Sequence, residues 1–214
     1  MDNTSLRVYG GVEGDDRRAE RRTQLIEAGL DLLGSESDDV SLTVRGVCKQ
    51  AGLTTRYFYE SFTDRDALAI AVYDHVTDEI ATTTLEAVAA APADERAKIH
   101  AGLKNIVDIV ADDPRRGRLL FSATLTNSLL LHRRVRSARL FASLLGEEAR
   151  AFYGMSGSAA LEPTSQFIVG GLAQTLTAWL DGTVELERHQ IVDRCTEIFL
   201  AIADIRRSSR EREA

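Results

Sequence analysis

Apolar residues recur at steps of three and four along most of the chain, and no period-2 run of useful length interrupts them. That pattern predicts helices throughout and an all-α fold. From Arg17 the periodicity becomes helical, with Leu25, Ile26, Gly29, Leu30, Leu32 and Leu33 on one side and Arg17, Arg18, Arg21 and Arg22 at the entry. Gly34 and the acidic SESDD stretch end this helix. Thr43 caps a second, short helix that turns Val44, Val47, Cys48 and Ala51 inward and closes at Gly52. Thr54 is the natural cap of a third. Leu53 and Phe58 have the spacing of a hydrophobic staple, and Phe58 and Phe62 share the inward side. Thr55, Arg56, Tyr57 and Tyr59 are left pointing elsewhere, toward solvent or a partner. Asp64 caps a fourth helix with Leu68, Val72, Val76 and Ile80 at steps of four.

Five further helical stretches follow. One carries Ile99, Leu103, Ile106 and Val110, and Pro114 opens the next, with Leu119, Leu120 and Phe121. A long one spans roughly Leu129 to Tyr153, with Arg133, Arg134, Arg136 and Arg139 on its outer side. The glycine-rich GMSGS separates it from a helix after Pro163 that holds Ile168, Leu172, Leu176 and Trp179. The last carries Ile191, Cys195, Ile198, Ile202 and Ile205. Residues 1–16 hold scattered charge without periodicity and read as a flexible tail, as do residues 207–214.

Composition narrows the class. At 214 residues, 44% hydrophobic and 28% charged, the chain is long enough to bury a sizeable core as an ordinary globular protein. No apolar run reaches the length of a membrane span, and the first residues lack the apolar core of a secretory signal, so a cytoplasmic protein with no membrane partner is expected. Cys48 and Cys195 fall inside apolar periodic segments and read as buried thiols rather than ligands or nucleophiles, and nothing in the sequence calls for a disulfide between them. His75, His100, His132 and His189 lack metal-ligand spacing, so no metal and no cofactor is expected. No nucleophile or acid–base set stands at usable spacing, which argues against an enzyme.

The net charge of −7 argues against nucleic-acid binding by the whole surface. Even from Arg17 to Arg65, eight basic residues face eight acidic ones. Position therefore has to make the case for DNA. Two short helices joined through QAGLTT form a helix-turn-helix, whose turn wants a residue tolerant of positive φ at Gly52. In such a motif the second helix enters the major groove and its first residues meet base edges. Arg56 can reach guanine O6 and N7, Thr55 a phosphate or a thymine methyl, and Tyr57 and Tyr59 phosphate oxygens. Thr43 sits at a helix N-terminus, which presents unpaired N–H groups to anions.

The stretch LTVRGVCKQAGLTTRYFYESFTDRDAL, with the arginine-rich helix before it, resembles the DNA-binding signature of the tetracycline-repressor (TetR) family. The match runs from about Arg17 to Leu68 and includes Thr43, Arg45, Ala51-Gly52, Thr54, Phe58-Tyr59, Phe62 and Arg65. The resemblance implies that Thr43, Tyr59 and Arg65 touch phosphates and that Thr55, Arg56 and Tyr57 face bases. Departures are Ser61 where histidine is common, Asp64 for a serine cap, Arg65 for lysine and Cys48 for alanine.

It further implies a DNA-binding domain over residues 17–63 and an effector-binding and dimerisation domain over 64–206. The protein would then be a ligand-responsive repressor, released from a palindromic double-stranded operator by a small molecule. The rival reading is an all-helical small-molecule-binding protein or enzyme with a non-functional DNA-binding region. Pocket candidates are Leu103, Val107, Phe121, Leu125, Phe167, Leu172 and Trp179. The last two helices carry more apolar surface than one bundle needs. Gly170, Ala173, Ile191, Cys195, Ile198 and Ile202 are therefore candidates for the interface of a homodimer.

Overall fold

The spacing of apolar positions is realised as helix after helix. The computed structural model describes residues 9–35, 42–121, 128–154 and 161–211, and among them are nine helices and no strand. They are α1 (Tyr9–Leu33), α2 (Val44–Ala51), α3 (Thr55–Ser61), α4 (Arg65–Ala90), α5 (Glu95–Asp112), α6 (Pro114–Phe121), α7 (Ser128–Tyr153), α8 (Leu161–Leu180) and α9 (Arg188–Glu211). The chain divides into two compact units, Met1–Asp74 and His75–Ala214.

In the first unit α1 packs on both α2 and α3. Leu25, Ala28 and Leu30 of α1 are buried, as are Val47 and Cys48 of α2, Phe58 of α3 and Phe62 at its end. Leu68 and Val72 approach α1 so closely that a Cβ on Gly29 would lie 2.7 Å from the Val72 side chain. Glycine is what permits that approach, and a side chain there would force the helices apart.

In the second unit α5 packs on α9, α7 on α8, and α6 on α5 and α8. One core cluster joins Leu103, Val107, Leu176, Ile191, Val192 and Cys195. Burying each large aliphatic side chain contributes roughly 1.5–3 kcal/mol, which holds these amphipathic helices together. A polar network ties α4 to the start of α6. Arg116 Nη1 reaches Glu79 Oε1 at 2.7 Å, while Arg115 forks onto both oxygens of Asp113. The donated hydrogen bonds from Arg115 hold the Asp113 carboxyl below the usual carboxylate range.

Several boundaries differ from the expectation. α1 reaches back to Tyr9, into the segment read as a tail, although no apolar periodicity marks it. Asp15 stands three residues ahead of Arg18, a charge order that favours helix without an apolar stripe. α9 likewise runs to Glu211, past the expected end at 206. α8 starts at Leu161, ahead of Pro163, because a proline in a first turn loses no helical hydrogen bond. The arginines of α7 do not all face outward. Arg136 and Arg139 are exposed, but Arg133 and Arg134 are half-buried, and Arg134 Nη2 donates to the Leu119 carbonyl at 3.3 Å. Most of the SESDD stretch and most of GMSGS lie outside the described residues.

Candidate nucleic-acid interface

The turn between α2 and α3 depends on two local devices. Thr43 Oγ1 accepts a 3.0 Å hydrogen bond from the Gly46 amide and so caps α2. Gly52 closes it at φ 66°, ψ 25°, where its own amide turns back onto the Cys48 and Lys49 carbonyls. That left-handed conformation is one an L side chain adopts only at a cost, hence the glycine. Gln50 then donates to Asp31 Oδ2 at 2.7 Å and ties the end of α2 to α1.

Thr54 occupies the cap position of α3, but its side chain makes no capping bond, contrary to the expectation. Its carbonyl does the work, accepting from the Tyr57 and Phe58 amides at 3.0 and 3.3 Å. A helix of seven residues has little stability of its own. Its inward aromatic face supplies what propensity does not. Phe58 is 0% exposed and Phe62 is buried beside it, with ring centroids 5.8 Å apart. Tyr59 sets its ring edge against Phe58 at 5.4 Å and leaves most of itself, 61%, in solvent. Thr55 and Arg56 are exposed as well, Arg56 with 84% of its side chain accessible.

The arginines of α1 do something the sequence did not disclose. Arg21 lies over the Tyr57 ring at 4.5 Å and 3.7 Å from Glu60 Oε2. Arg22 lies over the Phe62 ring at 4.4 Å and donates to the Ser61 carbonyl at 3.3 Å, where the negative end of the α3 dipole attracts a cation. Two of the four entry arginines thus hold α3 in place. Tyr57 is half-buried under one of them and offers less to a base than Arg56 does. Glu60 is the other residue that was missed. Its signal was present, since Arg56 and Glu60 stand four apart on one short helix, and they meet at 3.2 Å.

The flanking candidates are placed as follows. Arg45 is exposed one residue into α2. Asp64 caps α4, accepting from the Ala67 amide at 2.8 Å, and the exposed Arg65 lies 3.6 Å from Asp66. The free lone pair of the Thr43 hydroxyl is used for capping, but its hydrogen is available to an anion. Together the exposed groups comprise hydroxyls, guanidinium groups and a phenol, the donors that contact phosphates and base edges.

No protein-family model matches this sequence, and neither does any curated protein. Among solved structures, a TetR-family transcriptional regulator from Streptomyces coelicolor superposes with a TM-score of 0.68 at 21% identity, over 87% of this chain and 82% of that one. The transcriptional regulator FadR from Bacillus subtilis, bound to stearoyl-CoA, gives 0.66 at 15% identity over 82% and 96%. AibR, in complex with isovaleryl coenzyme A and operator DNA, gives 0.58 at 15% over 83% and 97%. The fold is that of the TetR-family regulators.

Within this TetR fold the remaining candidates separate. Leu103 and Val107 are buried in the second unit's core, with Phe121, Leu172 and Trp179 packed against it, so five expected pocket residues do come together. Trp179 also donates through its indole nitrogen to the Leu186 carbonyl at 2.8 Å. Phe167 does not join them. It is 74% exposed on α8, because its position in the helix falls on the side opposite Leu172 and Leu176. Leu125 lies outside the described residues. A surface groove of about 600 Å³ in this unit is lined instead by Ala87, Pro92, Arg96, His100 and Asp193, and contains none of the expected residues.

The dimer candidates also divide. Ile191 and Cys195 belong to the subunit core, not to a face left for a second copy. Ile198 is 56% exposed and Gly170 is exposed, while Ala173 and Ile202 are intermediate. Gly170 and Gly171 have nothing within 4 Å of where a Cβ would stand, so close packing inside the subunit does not account for them. Burial pushes both the Cys48 and Cys195 thiols up from their ordinary pKa, which keeps them protonated and unreactive. Among the described residues no cluster of metal-ligating side chains occurs, and no helix is long and apolar enough to cross a membrane.

Proposed function

We propose that this protein is a ligand-responsive, sequence-specific DNA-binding transcriptional regulator, a cytoplasmic repressor that leaves its operator when a small molecule binds. The observation that carries this reading is the division of α3. Its bulk, Phe58 and Phe62, is buried in its own unit, while Thr55, Arg56 and Tyr59 stand in solvent on the helix that follows a glycine turn. Arg56 reads a guanine, Thr55 a neighbouring base or phosphate, and Thr43, Tyr59 and Arg65 take phosphates that fix the register. Arg45 adds a phosphate contact from α2.

The active species is a homodimer. α8 exposes Phe167, Gly170 and Gly171, and α9 exposes Ile198 and Ala201. The glycines let a second copy's backbone approach, and the apolar side chains supply the area. A two-fold pair matches a palindrome with half-sites about 34–36 Å apart or a small multiple of that.

The effector enters the second unit near Leu103, Phe121, Leu172 and Trp179 and prefers the form whose reading helices are mis-spaced. A differential affinity of about 1–3 kcal/mol shifts operator occupancy by one to two orders of magnitude. FadR and AibR were each captured with an acyl-coenzyme A, which makes acyl-CoA thioesters the first compounds to screen.

The test is selection of bound duplexes from random DNA by the purified protein. Enrichment of one palindrome, with affinity falling steeply as salt rises, is the expected result. A protein that enriches nothing is not a regulator of this kind.

A further inference from the structure

Arg56 is the residue that gives α3 its base contact, yet it does not stand alone. Its Nε–H donates to Glu60 Oε1 at 3.2 Å, one turn along the same helix. Glu60 Oε2 in turn lies 3.7 Å from Arg21 Nη2, and the Arg21 guanidinium rests over the Tyr57 ring at 4.5 Å. The carboxylate is therefore anchored from behind by α1, with only 28% of its side chain accessible, while the arginine it holds is 84% accessible. We infer that Glu60 is a specificity-determining positioning residue: it fixes the direction of Arg56 and, by its charge, penalises binding to DNA backbone alone. The inference rests on the DNA-binding reading given above.

Two physical effects act in the same sense. An arginine held through Nε keeps both terminal amino groups free, and that pair forms the fork that fits guanine O6 and N7. A long exposed side chain has many rotamers, and one anchored carboxylate at its root removes most of them before DNA arrives. The second effect is repulsion. A carboxylate next to the reading arginine opposes phosphates wherever the protein sits, but at the right site the base contact offsets the repulsion. A wrong site gets no such offset. Arg21 belongs to the same device, since it neutralises part of the Glu60 charge from the side away from Arg56.

The experiment uses the full chain, the duplex enriched from random DNA, and a random duplex of the same length. Wild type, Glu60→Gln, Glu60→Asp, Arg56→Ala and the Arg56→Ala/Glu60→Asp pair are compared at two salt concentrations. Glu60→Gln is expected to tighten binding to random duplex and to lower the selected-to-random affinity ratio on the order of 10-fold, within the roughly 5- to 150-fold that one bidentate arginine discriminates. Glu60→Asp keeps the charge but withdraws the carboxylate by one methylene. It should leave random binding as in wild type and relax preference at the single base pair that Arg56→Ala relaxes. In the Arg56→Ala background Glu60→Asp should change preference no further. If Glu60→Asp keeps the wild-type preference, or relaxes it equally with Arg56 absent, the positioning role is overturned while the regulator reading stands. A wild-type chain that enriches no duplex overturns both. Unchanged thermal midpoints across the set exclude loss of α3 as the cause.

Discussion

Among the described residues α3 and α8 each leave an aromatic ring mostly in solvent, and the contrast between them separates two kinds of surface. Tyr59 of α3 is 61% exposed and Phe167 of α8 is 74% exposed. The phenol stands beside Arg56 and Thr55, so its surroundings are donors that suit an anionic, hydrated partner. The phenylalanine stands one turn from two bare glycines and has no polar handle of its own, which suits another apolar face. Exposure of a ring therefore means different things at the two places. One ring is held out because its neighbours Phe58 and Phe62 already fill the interior, while the other is left over after Leu172 and Leu176 have filled theirs.

The contrast is broken most severely by charging the apolar side. In the proposed homodimer, Phe167→Glu should separate the two copies with the subunit still folded, read as a shift to monomer in sedimentation at micromolar protein. Two copies of a lost phenylalanine contact amount to about 3–6 kcal/mol of association energy, twice the roughly 1.5–3 for one buried ring. A variant that sediments like wild type removes α8 from the interface. On the other side, Phe58→Ala should cost about 3–5 kcal/mol of stability, since the ring is fully buried and is the buried side chain within the short helix itself. Thermal denaturation measures it, and DNA binding should disappear with the fold of α3. A loss under 1 kcal/mol would mean that Phe62 and the α1 arginines suffice.

How far the sequence disclosed this differs between the two surfaces for a physical reason. α2 and α3 are bounded by local chemistry, a threonine cap and a left-handed glycine, and their inward residues follow from spacing alone. The outward positions of α3, Thr55, Arg56 and Tyr59, were legible for the same reason. What stayed hidden there was long-range: Arg21 and Arg22 meet Tyr57, Glu60 and Phe62 across some forty positions of sequence, and no local periodicity encodes that. In the second unit apolar residues surround the helices on several sides, so periodicity could not say which isoleucine of α9 faces inward. Ile191 and Cys195 were assigned to an interface and lie in the core, while Phe167 was assigned to a pocket and lies in solvent.

Smaller changes sharpen the assignment of roles on α3. Arg56→Ala should relax preference at one base pair, costing about 1–3 kcal/mol there. Tyr59→Phe should weaken all sequences alike by about 0.5–1.5 kcal/mol, the worth of one hydrogen bond, because a phosphate contact carries no sequence information. Duplex competition assays distinguish the two patterns. If Tyr59→Phe changed preference and not affinity, the phenol would be reading a base.

The finest test concerns Thr43, which caps α2 and is proposed to meet a phosphate as well. Its oxygen accepts from the Gly46 amide, and its hydrogen remains for a phosphate. The two roles come apart because the helix start favours an anion while DNA repels one. Thr43→Ala removes both and should cost about 1 kcal/mol of stability in addition to weakening DNA binding. Thr43→Asp keeps the cap, since a carboxylate accepts the same amide bond and suits the positive end of α2, so the melting temperature should hold or rise slightly. DNA affinity should nevertheless fall further than in the alanine variant, because the carboxylate places charge against charge. Should Thr43→Asp bind duplex as tightly as Thr43→Ala, the start of α2 does not meet a phosphate, and the groove contact rests on α3 and Arg65 without it.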